Sequence, residues 1–292
     1  MKSQWPLYAI PALIWGSTWY VIKFQLGLVD PLVSVVYRYV IAAVIMLSYC
    51  WIRTRSLHFS LRDHLFILLQ GMFLFGLNYW AAYEAEVYIT SGMMAIAFSC
   101  VVFANSIFGR LLLNVPINPK TILGALMATA GTAMIFTNEL ISYHFSASIV
   151  RGSAIAFLSM TLASLGQIAS LRNSRHGIPV IQANALGMLY GAIMMGLMAI
   201  MTGREFVFPL QASYISSLLY LAVFGSVLAF GAYLTLISHI GADRASYALV
   251  VIPVISVTIS WWFEGYQFTT ITFCGMLLIL AGNVLAFRNK TS

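Results

Sequence analysis

The sequence predicts an all-α polytopic membrane protein whose ten transmembrane helices form two inverted five-helix repeats. Three observations lead to this prediction. The chain of 292 residues is 61% hydrophobic and only 8% charged, which exceeds what the core of a water-soluble protein of this size requires. Apolar runs long enough to cross about 30 Å of hydrocarbon recur along it. One of these runs returns in similar form roughly 150 residues later.

The apolar runs predict ten helices of roughly 17 to 25 residues, the length that a helix needs to cross a bilayer. In chain order they are Trp5–Ile22, Pro31–Ile52, Leu65–Tyr83, Ile89–Phe108, Thr121–Thr137, Gly152–Leu171, Pro179–Met201, Ala212–Ser238, Arg244–Phe263 and Phe268–Phe287. The longest linkers, Arg53–His64 and Asn138–Arg151, are too short to form a separate soluble domain. Because no A-x-A cleavage site follows the first run, we expect a retained helix there and not a signal peptide.

Lysine and arginine are distributed unevenly over the linkers. With the N-terminus inside, eleven of the fifteen fall on the cytoplasmic side, three fall in outer loops, and Arg38 is placed inside a span. Cytoplasmic loops of membrane proteins are enriched in positive charge. We therefore expect a multi-pass protein of the cytoplasmic (inner) membrane with both termini cytoplasmic. On this interpretation the net charge of +7 is a topology signal, so the lipid bilayer is an expected partner and nucleic acid is not.

One apolar run has a second copy. Thr121–Phe136 and Thr272–Phe287 are identical at six of sixteen positions. Each copy carries two glycines seven residues apart: Gly124 and Gly131 in the first, Gly275 and Gly282 in the second. Seven residues make about two helical turns, so both glycines lie on one face. Small residues on one face let membrane helices approach closely, and we expect a tight helix contact there.

Two further anchors extend the repeat over the whole chain. Pro31 and Pro179 each open the second helix of a half, and TSGMMAIAFSCVVF aligns with DRASYALVVIPVIS at a similar offset of about 150 residues. The sequence therefore predicts two five-helix domains, residues 1–143 and 144–292. Because five is odd, the second half enters the membrane upside down, an arrangement typical of transporters that open a central site alternately to each side. A purely architectural duplication is the alternative.

Five segments carry a further pattern: IWGSTWYVIK, VYRYVIAAVI, AEVYITSGMMAI, IGADRASYALVVIPVIS and FEGYQFT. In this order and spacing they resemble the drug/metabolite transporter superfamily, in its EamA-type ten-helix branch. The resemblance covers essentially the whole chain. It implies two inverted five-helix repeats around a central cavity, in a family whose members move amino acids, other metabolites or drugs, often outward.

The chain departs from the pattern of that family in two places. The proline commonly found in the middle of the fourth helix is Cys100, whereas its counterpart in the second half, Pro253, is present. The Gly-Glu pair common after the fourth helix reads Gly109-Arg110. The two halves have therefore diverged, and matched kinks in both halves do not follow from the sequence.

Polar and aromatic side chains inside the spans are candidate substrate contacts, because a polar group in hydrocarbon must face protein or a water-filled cavity. The candidates are Trp15, Ser17, Thr18, Arg38, Asn78, Tyr79, Tyr83, Ser99, Gln167, Asn184, Tyr233 and Tyr247. The amides Asn78, Gln167 and Asn184 have the most hydrogen-bonding sites to satisfy, and each is equally compatible with structural bonding between helices. The deep rings of Trp15 and Tyr79 would suit an amphipathic, aromatic or cationic solute.

Arg38 has two interpretations. The resemblance places an arginine at this position of the second helix, and a fixed charge there would attract a substrate carboxylate or stabilise a gate. Alternatively, the long side chain snorkels to the outer interface. Glu84 and Glu86, near the outer end of the third helix, are weaker candidates for proton exchange, because a carboxylate in an outer loop is usually just solvated.

Motifs of other functional classes are absent. The chain has no P-loop, no HExxH and no GxSxG. The three cysteines lie in apolar runs without CxxC spacing and are expected to be buried small hydrophobes, and the five histidines show no ligand spacing. We therefore expect no cofactor, no metal site and no catalytic residue.

Together these features predict a secondary transporter that moves a small metabolite, an amino acid or related solute, outward by alternating access. A multidrug or organic-cation exporter is the first alternative. From other classes, a channel would conduct without saturation, and an intramembrane enzyme would need a catalytic constellation at membrane depth that is not visible. A duplicated unit supplies both halves of a pathway, so a monomer is plausible, and a homodimer is compatible with the sequence.

Overall fold

The computed structural model describes residues 4–22, 24–25, 27–142, 146–264 and 268–287. This part of the chain is helical and contains no strand. The helices in chain order are α1 (Trp5–Ile22), α2 (Pro31–Ile52), α3 (Leu61–Glu86), α4 (Ser91–Ser99 and Val101–Leu113), α5 (Pro119–Ile135), α6 (Ala147–Arg175), α7 (Val180–Met201), α8 (Ala212–Ile240), α9 (Ala242–Ala245, Tyr247–Val250 and Ile252–Glu264) and α10 (Thr270–Phe287). A short helix, Thr137–Ser142, follows α5.

Seven of the described helices are long and apolar enough to cross a membrane, namely α2, α3, α4, α6, α7, α8 and α9. The other three, α1, α5 and α10, have 17 or 18 residues and lie at the lower end of the spanning range. The predicted class, an all-α polytopic membrane protein, is confirmed. The number of ten crossings stays a prediction.

Two helices, α3 and α6, begin four and five residues earlier in the chain than their apolar runs predicted. α3 begins at Leu61 because the Ser60 hydroxyl accepts the backbone N–H of Asp63 at 3.1 Å. α6 begins at Ala147, where the Ser146 hydroxyl accepts the N–H of Ile149 at 3.4 Å. A capping hydroxyl satisfies a backbone donor that would otherwise be left unpaired. Polar residues that the hydropathy pattern assigned to linkers are therefore first turns of helices.

The glycine faces of the two similar runs pack against each other. A Cβ atom on Gly124 would lie 2.6 Å from the Gly282 carbonyl oxygen, and one on Gly131 would lie 2.5 Å from the Gly275 oxygen. α5 and α10 are thus antiparallel and in backbone contact at two levels, which no residue larger than glycine permits without a shift. The expected tight contact is therefore present, and it is formed between the two similar runs themselves, α5 and α10.

Helices at equivalent positions of the two halves are interrupted in similar ways. α3 contains a π-helical segment at Gly71–Leu77, and α8 contains one at Leu221–Leu228. α4 is interrupted at Cys100 and α9 at Val251, two residues before Pro253. The interruptions are therefore matched although the proline of the first half is missing.

Side-chain hydrogen bonds explain the break in α4. The Ser99 hydroxyl donates to the Ile96 carbonyl at 2.7 Å, and the Cys100 thiol donates to the same oxygen at 3.7 Å. The Cys100 N–H bonds instead to the Ala97 carbonyl at 3.1 Å, a tighter turn than an α-helix makes. Side chains that bond back to the preceding turn compete with the backbone ladder and bend helices.

The cysteines do not share one environment. Cys50 is buried, Cys100 is half-buried and Cys274 is exposed on the outer surface of the bundle. The expectation of a buried small hydrophobe is correct for Cys50 and wrong for Cys274. A cysteine in an apolar run faces lipid as readily as protein, because the apolar pattern of such a run does not separate the two.

Candidate solute-binding site

Arg38 is the only basic residue of α2, and 5% of it is exposed. Its Nε donates a hydrogen bond to the Ser226 hydroxyl at 2.8 Å. The guanidinium carbon lies 5.2 Å from the centre of the Tyr79 ring and 5.6 Å from that of Tyr39. In the part of the chain that the structure describes, no carboxylate forms an ion pair with Arg38. The charge is held by a hydroxyl and two ring faces, and the alternative that Arg38 snorkels to the interface is wrong.

The π-helical segment of α8 brings its backbone close to Arg38. A Cβ atom on Gly225 would lie 3.0 Å from Arg38 Nη2, so the approach depends on a glycine. The next residue, Ser226, accepts from Arg38 and donates to the carbonyl five residues back at 3.1 Å. The Gly225 carbonyl accepts a hydrogen bond from Trp15 Nε1 at 2.9 Å, which fastens α1 to the same turn. Widened turns of this kind occur frequently at functional sites.

Aromatic rings continue from Arg38 into the centre of the bundle. Tyr79 contacts Tyr39 at 5.5 Å between ring centres, Tyr39 contacts Phe75 at 5.4 Å, Phe75 contacts Phe230 at 5.0 Å, and Phe230 contacts Trp15 at 4.8 Å. Edge-to-face contacts at these distances hold rings in fixed orientations. We call Arg38, Gly225, Ser226, Trp15, Tyr39 and Tyr79 the Arg38 cluster.

Little free volume lies beside this cluster. Tyr83 and Ser34 line a cavity of about 20 Å³ near the start of α2 at Pro31. A cavity of about 10–15 Å³ holds a single water molecule, so this one holds no metabolite. Arg38 itself is buried in this conformation.

A second buried group joins α4, α6, α8 and α9. Asn105 Nδ2 donates to Gln167 Oε1 at 2.7 Å, and its Oδ1 accepts from the Ser164 hydroxyl at 2.6 Å. The Tyr233 hydroxyl donates to the same Gln167 oxygen at 2.9 Å. Asn105 also bonds to the Ser246 hydroxyl. We call these five residues the amide cluster, and all of them are buried.

A third group of amides links α3, α6 and α7. Gln70 Nε2 donates to Asn184 Oδ1 at 2.9 Å, and Asn173 Nδ2 donates to Gln70 Oε1 at 3.0 Å. Arg172, beside Asn173, forms an ion pair with Asp63 at 2.9 Å. These contacts run between helices and line no described cavity.

The twelve predicted site residues separate into several groups. Five come together around Arg38 or beside it: Trp15, Thr18, Arg38, Tyr79 and Tyr83. Gln167 and Tyr233 belong to the amide cluster, and Asn184 belongs to the third group. Tyr233 also contacts the Trp15 ring at 5.2 Å and so touches both clusters.

The remaining four predicted residues face other helices. Ser17 pairs with the Tyr220 hydroxyl at 2.7 Å, and Ser99 donates to Thr129 at 3.2 Å. The backbone carbonyl of Asn78 accepts from Ser159 at 2.8 Å, whereas its buried side-chain oxygen Oδ1 has no hydrogen-bond partner among the described residues. The Tyr247 hydroxyl donates to the Thr121 carbonyl. The structure does not bring these four to Arg38.

Three residues of the Arg38 cluster were not among the predicted ones: Tyr39, Gly225 and Ser226. Tyr39 follows Arg38 in the chain and could have been included for that reason. Gly225 and Ser226 are two consecutive small residues inside an apolar helix, which is a weak signal of close helix approach. That this pair meets Arg38 is visible only in the fold.

Comparison with known proteins gives consistent results. The model of the EamA-like transporter family matches the chain twice, over residues 6–137 and 150–288. Protein PagO of Salmonella typhimurium is 25% identical over 277 residues, which cover 94% of this chain and 88% of PagO. The uncharacterized inner membrane transporter YedA of Escherichia coli K12 is 25% identical over 281 residues, which cover 95% and 88%. The uncharacterized transporter YoaV of Bacillus subtilis is 24% identical over 284 residues, which cover 95% of each chain.

A solved structure shares the fold. It aligns with a TM-score of 0.81 over 96% of this chain and 95% of its own, at 18% sequence identity. Because the family match extends over both halves, it does not depend on one segment. The chain belongs to the EamA-like transporter family.

Proposed function

We propose that this protein is a secondary transporter of a small solute that carries a carboxylate, an amino acid or related metabolite, across the cytoplasmic (inner) membrane. The observation that carries the proposal is the buried charge of Arg38, which no described carboxylate neutralises. Keeping an unpaired charge at membrane depth costs several kcal/mol, so such residues mark substrate or ion pathways. A guanidinium binds a carboxylate through two parallel hydrogen bonds, and the bond from Arg38 to Ser226 engages Nε alone.

The surroundings of Arg38 narrow the class of solute. A fixed positive charge repels an organic cation, which disfavours the organic-cation exporter. The rings of Trp15, Tyr39 and Tyr79 provide apolar faces next to the charge. A carboxylate with an apolar or aromatic body matches both features.

Alternating access would explain why Arg38 is buried in this conformation and yet reachable by solute in another. The predicted topology places the Arg38 cluster about 10 Å below the outer end of α2, and the amide cluster about 12 Å above the inner end of α4. We infer that helices part beside Tyr83 to open one side of the Arg38 cluster, and that the opposite side of the cluster opens in the other state. Two inverted halves, residues 1–143 and 144–292, would exchange these states, and outward transport is the direction that the family resemblance suggests.

The proposal is tested with purified protein in proteoliposomes. Counterflow of amino acids is measured in competition with the same amino acids and with their amides, in which a neutral group replaces the carboxylate. We expect saturable exchange, competition by the acids, and no competition by the amides. Arg38→Gln should lower transport efficiency about 100-fold, because a buried charge-assisted hydrogen bond contributes about 1.5–3 kcal/mol.

Arg110→Gln is the matched control, because Arg110 is exposed and lies in the last turn of α4. It should transport as the wild type does. Competition by amides or organic cations as strong as that by the acids would refute the proposal. Flux that rises without saturation would favour the channel.

A further inference from the structure

A groove lies on the lipid-facing surface between the start of α3 and α7, apart from both buried clusters. It has a volume of about 630 Å³ and is lined by Leu61, Arg62, His64, Leu65, Leu68 and Tyr190. Pockets for small ligands run to about 300–1,000 Å³, so the groove is large enough to hold part of a lipid molecule. We call it the α3–α7 groove.

The apolar wall of the groove follows one face of α3. Leu61, Leu65 and Leu68 are spaced four and three residues apart, which aligns them over about 10 Å of helix. Their exposed fractions are 88%, 53% and 39%, so each keeps a surface that the described chain leaves uncovered. An acyl chain lying against α3 would contact all three.

The floor of the groove is a fixed polar contact. His64 Nδ1 and the Tyr190 hydroxyl are hydrogen-bonded at 2.7 Å and join α3 to α7. Because this bond ties the two walls together, the groove is a defined concavity and not a loose gap.

The charge at the mouth of the groove is positive and uncompensated. Arg62 is exposed and forms no ion pair with a described carboxylate. The neighbouring Asp63 does not neutralise it, because Asp63 is paired with Arg172 at 2.9 Å. Arg53 and Arg55 precede it in the same linker and add further positive charge at this end of the bundle. Basic pockets between membrane helices favour anionic lipid headgroups.

We propose that the α3–α7 groove binds an anionic phospholipid, with the headgroup phosphate at Arg62 and one acyl chain along Leu65 and Leu68. The polar end of the groove lies at the end of the helices, where headgroups are, and the apolar end lies deeper, so a phospholipid fits with its natural orientation. Binding here would brace α3 against α7 beside the Gln70–Asn184 bond.

The test compares lipids and variants by the thermal unfolding midpoint of the whole purified protein in neutral detergent. Phosphatidylglycerol should raise the midpoint by several degrees more than phosphatidylcholine, since a ligand that binds only the folded state stabilises it. Arg62→Gln should remove this difference by removing the charge. Leu65→Trp should remove it by filling the groove while leaving the charge in place, and its midpoint without lipid reports whether it folds.

Matched controls separate a site from general attraction. Arg110→Gln removes one exposed arginine from the same end of the bundle, outside the groove, and should keep the full difference. Soluble glycerol phosphate should stabilise no variant, because it lacks the acyl chain. An equal loss in Arg62→Gln and Arg110→Gln, an unaffected Leu65→Trp, or equal stabilisation by phosphatidylcholine or glycerol phosphate would overturn the proposal.

Discussion

The Arg38 cluster and the amide cluster are both buried and polar, but they differ in how fully their polar groups are hydrogen-bonded. In the amide cluster, each side chain has a polar partner within hydrogen-bond distance, and four helices are joined by it. In the Arg38 cluster, a full charge has one hydroxyl partner and two ring faces. A satisfied network holds a structure together, whereas an under-satisfied charge retains capacity for a ligand.

Tyr233 connects the two clusters. Its ring contacts Trp15 at 5.2 Å, and its hydroxyl bonds to Gln167 at 2.9 Å. Because the two clusters differ in how their polar groups are satisfied, we expect substitutions in the amide cluster to lower stability and substitutions in the Arg38 cluster to lower transport. Three predictions sharpen this contrast.

Asn105→Ala should lower the free energy of unfolding by about 2 kcal/mol, because it leaves the buried Ser164 hydroxyl without its acceptor and removes one of the two donors to Gln167 Oε1. The measurement is unfolding of purified protein in detergent by heat or denaturant. Ser216→Ala is the control, since Ser216 is exposed on α8 and its hydroxyl bonds within its own helix, to the Ser213 carbonyl. A stability equal to that of the wild type would show that the amide cluster does not fasten the helices.

Arg38→Gln should leave the free energy of unfolding unchanged within about 1 kcal/mol, or raise it. The substitution removes a hydrogen bond and two ring contacts but also removes the cost of burying a charge, and buried charges are often replaced without loss. The same unfolding experiment measures it. A decrease as large as that caused by Asn105→Ala would mean that Arg38 is a structural element and would remove the contrast between the clusters.

Ser226→Ala and Ser164→Ala compare the two clusters with the smallest change, because each substitution deletes one serine hydroxyl from one cluster. Ser226→Ala should raise KM about threefold to tenfold, since the guanidinium loses the bond that orients it, worth about 1 kcal/mol. Ser164→Ala should leave KM unchanged and lower the unfolding midpoint by a few degrees. Proteoliposome exchange and thermal unfolding measure the two effects, and identical behaviour of both variants would contradict the assignment.

Much of the fold was predictable because it follows from local patterns. Composition and the length of apolar runs predict a polytopic helical protein, and the glycines at Gly124 and Gly131 predict a close helix contact. The errors were equally local. Ser60 and Ser146 begin helices inside segments that hydropathy assigned to linkers, because a capping hydroxyl outweighs the polarity of the first turn.

The candidate site was predictable as a set of residue types but not as an arrangement. The sequence singles out Arg38 as a charge inside a span, and it names Gln167 and Asn184 as amides that need partners. It does not say which side chain meets which. Amides and hydroxyls are interchangeable as hydrogen-bonding partners, so many pairings satisfy the same composition.

Composition and periodicity alone predict a bundle of apolar helices, two recurring glycine-bearing runs, and one arginine inside an apolar helix. The hydrogen bonds of Arg38 with Ser226, 188 residues away, and of Asn105 with Gln167 become visible only in the folded chain. The physical reason is that helix periodicity is set by neighbours three or four residues apart. The partner of a buried polar group depends on how whole helices pack, and here also on π-helical turns that no local pattern predicted.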